Sequence, residues 1–277
     1  MKKMVVACVC TGLSACGVDD SGETDPNRFA GSGEIESIPI ADERYSGDIE
    51  SISYDPDSDT LIVQGEPFDV AGRFNRVSER DVRGFAAFEN EGGARRYLAL
   101  VRTDGTHGVS AGVVGTPVRL DREFGGTVLT RADIPELPRN VQVRHVGDYA
   151  GIRNVGSNDG GDMTDSFLHR VEGRVQLDLD FADRIPSVEG VIRDRRSLDQ
   201  TVEVEEEVRN VQYDDVVMQF TSIDIEGNFT GVAAVNKVDV GAYDGMIAGD
   251  DAAASAGVVI IREGDELERG AFIARVE

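Results

Sequence analysis

The C-terminal segment constrains the fold most. From Val240 to Glu277 the chain reads VGAYDGMIAG, a short acidic turn, ASAGVVIIRE, a Gly-Asp-Glu turn and LERGAFIARV. Small and apolar residues alternate, and Gly-Asp turns punctuate them. This is the pattern of three antiparallel strands, each long enough to cross a small barrel. A barrel must close on its last strand, and the same grammar repeats from Val143 onward.

Eight strands are expected in this region: 145–153, 169–181, 188–193, 216–225, 228–235, 241–249, 255–262 and 267–276. In the second, Val171, Gly173, Val175, Leu177, Leu179 and Phe181 share one face, while Glu172, Arg174, Gln176, Asp178 and Asp180 share the other. A face charged along its length cannot meet lipid, so a soluble barrel is expected. Such a barrel either fills with side chains or encloses one ligand. Val175, Leu177, Leu179, Phe181, Phe229 and Phe272 are bulky enough to fill it. The other reading is a lipocalin-like carrier of a small apolar ligand, although the chain has no tryptophan for the barrel mouth. Leu198 to Gln212 is a long connection, either a short helix or an acidic extended loop. Upstream, short strands separated by Gly, Asp and Asn run from Glu34 to Leu137, beginning with a hairpin around Asp-Pro-Asp-Ser-Asp. The pattern-free, proline-containing stretch Asp133 to Pro138 marks the boundary. The expected fold is all-β, with a small β domain over 34–139 and an eight-stranded antiparallel barrel over 140–277.

The N-terminus carries an address. Lys2 and Lys3 precede a short apolar run ending in Leu13-Ser14-Ala15-Cys16, which reads as a signal peptide over 1–15. Cys after Leu-Ser-Ala resembles a bacterial lipobox, which implies lipidation of Cys16. Cys8 and Cys10 fall in the segment to be removed, leaving no other thiol. Residues 16–33 then form a Gly-, Ser- and Asp-rich tether. Gly17 in place of Asp resembles the signal for outer-membrane rather than inner-membrane retention.

The formal net charge is -24, which repels nucleic acid and anionic lipid. It suits a basic partner or cation-rich surroundings, and equally a solvated acidic surface. Asp55, Asp57, Asp59 and Glu66 sit at calcium-loop spacing, but Thr60 stands where that loop needs glycine, so an Asp-rich turn is the simpler reading. Asn158 to Asp162 is a second, weaker cation loop. His107, His145 and His169 lack ligand spacing. No Gly-x-Ser-x-Gly elbow, phosphate loop or cofactor motif is present. The expectation is a protein without enzymatic activity, cofactor or metal.

Gly241, Tyr243, Gly245, Ala256-Gly257 and Gly270-Ala271-Phe272, with Val146 to Gly151 upstream, resemble the barrel motifs of transferrin-binding-protein-B-like bacterial surface lipoproteins. The region before them, with Tyr54-Asp55-Pro56 and Pro67-Phe68-Asp69, resembles the "handle" domain of that family. The resemblance implies a lipid-anchored outer-membrane or cell-surface protein that binds an extracellular protein or solute. This chain departs from the transferrin receptors in having one handle and one barrel, and no ligand-gripping residue carries over. A structural envelope role is the third reading. Loops on a rigid scaffold carry most recognition. The connections after the first and third barrel strands share one end, so that end is the expected binding face, with Arg195, Arg196 and Tyr213 as anchors.

Overall fold

The computed structural model describes residues 33–36, 49–55, 57–65, 68–90, 97–117, 125–155, 167–204 and 207–277. The lipobox, Cys16, most of the tether, Glu66 and the loop 156–166 lie outside them. Two antiparallel sheets make up the fold. The first is a meander of β1 (Gly33–Glu36), β2 (Ile49–Asp55), β3 (Thr60–Gly65), β4 (Phe68–Arg76), β5 (Ala86–Asn90), β6 (Tyr97–Asp104), β7 (Val109–Gly115) and β8 (Gly125–Arg131). β8 comes back against β1 and β2, so this sheet nearly closes. Its interior holds Ile52, Tyr54, Leu61, Phe74, Phe88 and Val101. Each such side chain removed from water contributes roughly 1.5–3 kcal/mol.

The second sheet comprises β9 (Gln142–Val155), β10 (Phe167–Asp180), β11 (Ser187–Val204), β12 (Glu207–Gln212), β13 (Val216–Ser222), β14 (Asn228–Val235), β15 (Val238–Ala248), β16 (Ala254–Glu263) and β17 (Glu266–Val276). Eight of them close an up-and-down barrel. β17 pairs with β9 from Leu267↔Asn154 to Val276↔His145, and β10 joins β9 to β11. The turns obey local chemistry. Asn236 and Lys237 both take positive φ (50° and 68°), which suits a two-residue hairpin whose twist matches its strands. The ninth strand settles the Leu198–Gln212 alternative: it is neither helix nor loop. β11 continues to Val204 after β13 leaves it at Ile192, and β12 returns along it, so 201–210 form a two-stranded ribbon.

The Gly-x-aromatic-x-Gly pattern acquires a physical meaning inside the barrel. Tyr243 lies directly opposite Gly231, Phe229 opposite Gly245, Phe272 opposite Gly257 and Tyr149 opposite Gly173. In the first three pairs the ring occupies the space a Cβ on the facing glycine would take; one on Gly245 would sit 2.1 Å from the Phe229 ring, and the Tyr149 side chain fills the space over Gly270 in the same way (2.0 Å). These rings join Val175, Leu177, Leu179, Phe181, Val188 and Met218 in one core. Phe229 and Tyr243 meet at 6.2 Å between centroids. The lumen is filled by side chains.

The outer wall has two characters. On β10 it is charged, as the alternation requires. On β15 to β17 and β9 it is apolar: Ile152, Met246, Val258, Ile260, Leu267 and Ile273 pack against Phe85, Leu98, Leu100, Val113 and Leu129 of the first sheet. Strands covered on both faces read as continuous apolar runs, which is why ASAGVVII carries no charged residue. The charged outer face inferred from β10 therefore does not extend around the barrel, because the first sheet covers the other side. Arg275 Nε to Asp104 (2.8 Å), Arg102 to Asp148 (3.2 Å) and Arg131 to the Ile247 carbonyl (3.0 Å) rim that interface.

His145 is fully buried near the end of the barrel opposite the ribbon. Its Nε2–H donates to the Ala252 carbonyl (2.8 Å), and Nδ1 accepts from the Ser255 hydroxyl (2.9 Å). Burial outweighs the carbonyl and lowers its pKa to about 4. The unfolded chain, titrating near 6.5, then binds the extra proton first as pH falls. Stability from neutral His145 is present above about 6.5 and is lost as pH drops to about 4, amounting to about 3 kcal/mol. Urea unfolding of wild type and His145→Gln from pH 7 to 4 checks this. The wild type should lose about that much more than the variant; parallel profiles would contradict it.

Candidate functional site

The barrel end bearing the β11–β12 ribbon is where the sequence-predicted anchors converge. Arg195 and Tyr213 do meet there, but not as surface anchors. Arg195 is fully buried. The cause is one extra residue on β11: Arg174 faces Arg193, yet Glu172 faces Arg196. Asp194 absorbs it with a left-handed φ of 55°. The bulge reverses the alternation and turns Arg195 into the lumen, where a regular strand would keep it outside with Arg193. Tyr213 is half-buried and lies above it, with its ring centroid 5.7 Å from the Arg195 guanidinium and 4.4 Å from that of Arg153. Arg196 remains outside and pairs with Glu172, which Arg83 of the β4–β5 connection also holds at 2.9 Å.

The group that organises this end is Glu268, which is fully buried. Its Oε1 accepts from the Tyr149 hydroxyl (2.6 Å). Its Oε2 accepts from Arg195 (2.7 Å) and Arg153 (3.1 Å). Arg153 also holds Glu263 (2.9 Å) and Glu266 (2.6 Å) at the rim. Arg195 donates a further bond to the Asp214 carbonyl (2.6 Å). Burial alone would raise the Glu268 carboxyl; Arg195 and Arg153 outweigh it and hold it below its ordinary range. Burial, followed by the Glu268 charge, raises the Tyr149 phenol well above its ordinary value. Near neutral pH the carboxylate stays ionised and the phenol stays a donor. The network ties β9, β11 and β17 together and plugs the lumen where the ribbon leaves the barrel.

Sequence reasoning missed Glu268, Arg153 and the role of Tyr149. A signal existed for two of them. Glu268 shares parity with Gly270 and Phe272, and Arg153 with Tyr149 and Gly151, so each is a charge on an inward face.

The other candidates fall elsewhere. In the β2–β3 turn, Asp55 Oδ1 accepts from the Asp57 amide (3.0 Å) and Oδ2 from the Ser58 hydroxyl (2.7 Å), while Asp59 accepts from Tyr54 (2.8 Å). The Ser58 hydroxyl, with the Asp57 amide, lowers the Asp55 pKa. These carboxylates build the turn, and among the described residues no group of three or more His, Cys, Asp or Glu is arranged to hold a metal. Asn158 to Asp162 lies outside the described residues. His107 bonds Asp104 (2.7 Å), His145 is the buried group above, and His169 is half-buried on β10.

No family model matches the chain, and no curated protein is similar to it in sequence. Solved structures similar in fold include a point mutant of transferrin binding protein B from Actinobacillus pleuropneumoniae H49. That match has 16% identity and a TM-score of 0.40 over 64% of this chain and 80% of that one. Isotype 1 transferrin binding protein B from serogroup B Neisseria meningitidis matches at 12% identity and a TM-score of 0.38, over 89% of this chain and 56% of that one. The N-lobe of lactoferrin binding protein B of Moraxella bovis matches at 14% identity and a TM-score of 0.33, over 68% and 81%. The chain is thus structurally similar, at low sequence identity, to lobes of the transferrin- and lactoferrin-binding B proteins.

Proposed function

We propose that this protein is a lipid-anchored binding lobe of the outer membrane, without enzymatic activity, that recognises an extracellular protein or solute through the ribbon-bearing end of its barrel. One observation carries the reading. The lumen is filled and its end is plugged by the Glu268 network, while residues 201–210 of the β11–β12 ribbon pair, among the described residues, with no other strand. A filled barrel leaves recognition to its surface, and Val202 and Val208 on the ribbon are exposed apolar side chains. Arg196 and Tyr213 flank the ribbon base; Arg195 supports Tyr213 from inside. The anchor is assigned to Cys16, after a signal peptide over 1–15 and before a tether to residue 33. Residues 34–139 and 140–277 act as handle and barrel.

Cys16→Ser tests the anchor. The expected result is transfer of the protein from the membrane pellet to the soluble fraction, because several acyl chains anchor nearly irreversibly. A variant that stays in the pellet would sink the lipoprotein assignment. The binding face is tested on intact cells bathed in extracellular fluid, with a photo-crosslinking amino acid at Val208 or at Ile225. Ile225 lies in the β13–β14 turn at the other end. Adducts from position 208 and none from 225 are expected; adducts from 225 alone, or from neither, contradict the assignment.

A further inference from the structure

The bulge that turns Arg195 inward borders a second feature, on the outer wall. The regular register that runs up from the β10–β11 turn ends there, with Arg174 and Arg193 directly opposite each other across β10 and β11, both exposed. Among the described residues neither side chain makes a hydrogen bond or ion pair. Two neighbouring carboxylates are already engaged, whereas Asp194 has no ion pair among the described residues. Glu172 is held by Arg83 and Arg196, and Asp148 by Arg83 (3.5 Å) and Arg102 (3.2 Å). Five arginines therefore surround Asp148, Glu172 and Asp194, a local excess of positive charge on a chain whose net charge is -24.

The free pair borders a groove of about 360 Å³, within the size range of small-ligand sites. Its floor is a row across three strands, Val146–Gln176–Val191, apolar at both ends. Asp148, directly opposite Arg174 across β9 and β10, and Asp194 also line it. A planar guanidinium fork matches a carboxylate bidentately, and two forks side by side specify an anion where the rest of the surface repels one. We propose that this groove binds a carboxylate carried on a compact apolar body: Arg174 and Arg193 take the oxygens, and Val146 and Val191 take the body. The site lies on the barrel wall and is independent of the ribbon-end reading.

The test is a calorimetric titration of the soluble Cys16→Ser chain with N-acetyl-leucine, its uncharged amide and inorganic phosphate. The acid should bind saturably, the amide should not bind, and phosphate, lacking an apolar body, should bind at least about tenfold more weakly. Arg174→Gln and Arg193→Gln should each weaken the acid by about tenfold or more, the loss of a charge-assisted bond. Arg184→Gln, which removes an exposed arginine from the β10–β11 turn, should change nothing. No saturable binding, equal binding of acid and amide, equal binding of phosphate, or indifference to both arginine variants overturns the proposal.

Discussion

Glu268→Gln should lower the unfolding free energy by about 3–5 kcal/mol, the usual effect of removing one partner from a buried ion pair. The substitution is nearly isosteric, so packing changes little and the loss isolates charge. It strands Arg195, fully buried, with the Asp214 carbonyl as its other bonded partner. Arg153 suffers less, because Glu263 and Glu266 still hold it at the rim. A rescue is expected on the same physical ground. Arg195→Met combined with Glu268→Leu removes both charges together, and replacing a buried pair with apolar side chains is often neutral. The double variant should be more stable than Glu268→Gln, with strongly non-additive effects. Denaturant unfolding followed by far-ultraviolet circular dichroism measures both, since the chain has no tryptophan. A loss under about 1 kcal/mol for Glu268→Gln, the scale of an exposed pair, would mean the network is solvated and does not plug the lumen.

Gly257→Ala should be comparably costly for a steric reason. An added Cβ would stand 2.3 Å from the Phe272 ring and 2.6 Å from the Asp244 carbonyl oxygen. The ring has nowhere to retreat in a filled lumen, and the carbonyl belongs to the neighbouring strand. Overpacking a tight core costs about 1–3 kcal/mol and more where backbone must shift; about 3 kcal/mol is expected here. Gly105→Ala is the control, since a Cβ there meets nothing within 4 Å, and it should stay within about 0.5 kcal/mol of wild type. Equal stabilities for the two variants would show that the ring-over-glycine packing is loose.

The eight barrel strands were legible because alternation and Gly-Asp turns are local. The inward set on β10, Val171 to Phe181, was read correctly for the same reason. Three features were not legible, each for its own reason. The β11–β12 ribbon hid because Val202, Val204, Val208 and Val211 fit more than one periodicity. The inward turn of Arg195 depends on a single extra residue at Asp194, and nothing in the local sequence distinguishes a bulge from a regular strand. The covering of β15 to β17 by the first sheet is a long-range contact that strand alternation does not encode. For Glu268 the parity was readable, but its partners lie on β9 and β11, 73 to 119 positions away.

The most direct test of a closed, filled barrel that binds through its surface is native mass spectrometry of the soluble Cys16→Ser chain incubated with a mixture of long-chain fatty acids. The mass of the bare chain is expected at every declustering energy. One tightly retained fatty acid per chain would show a hollow lumen and contradict it.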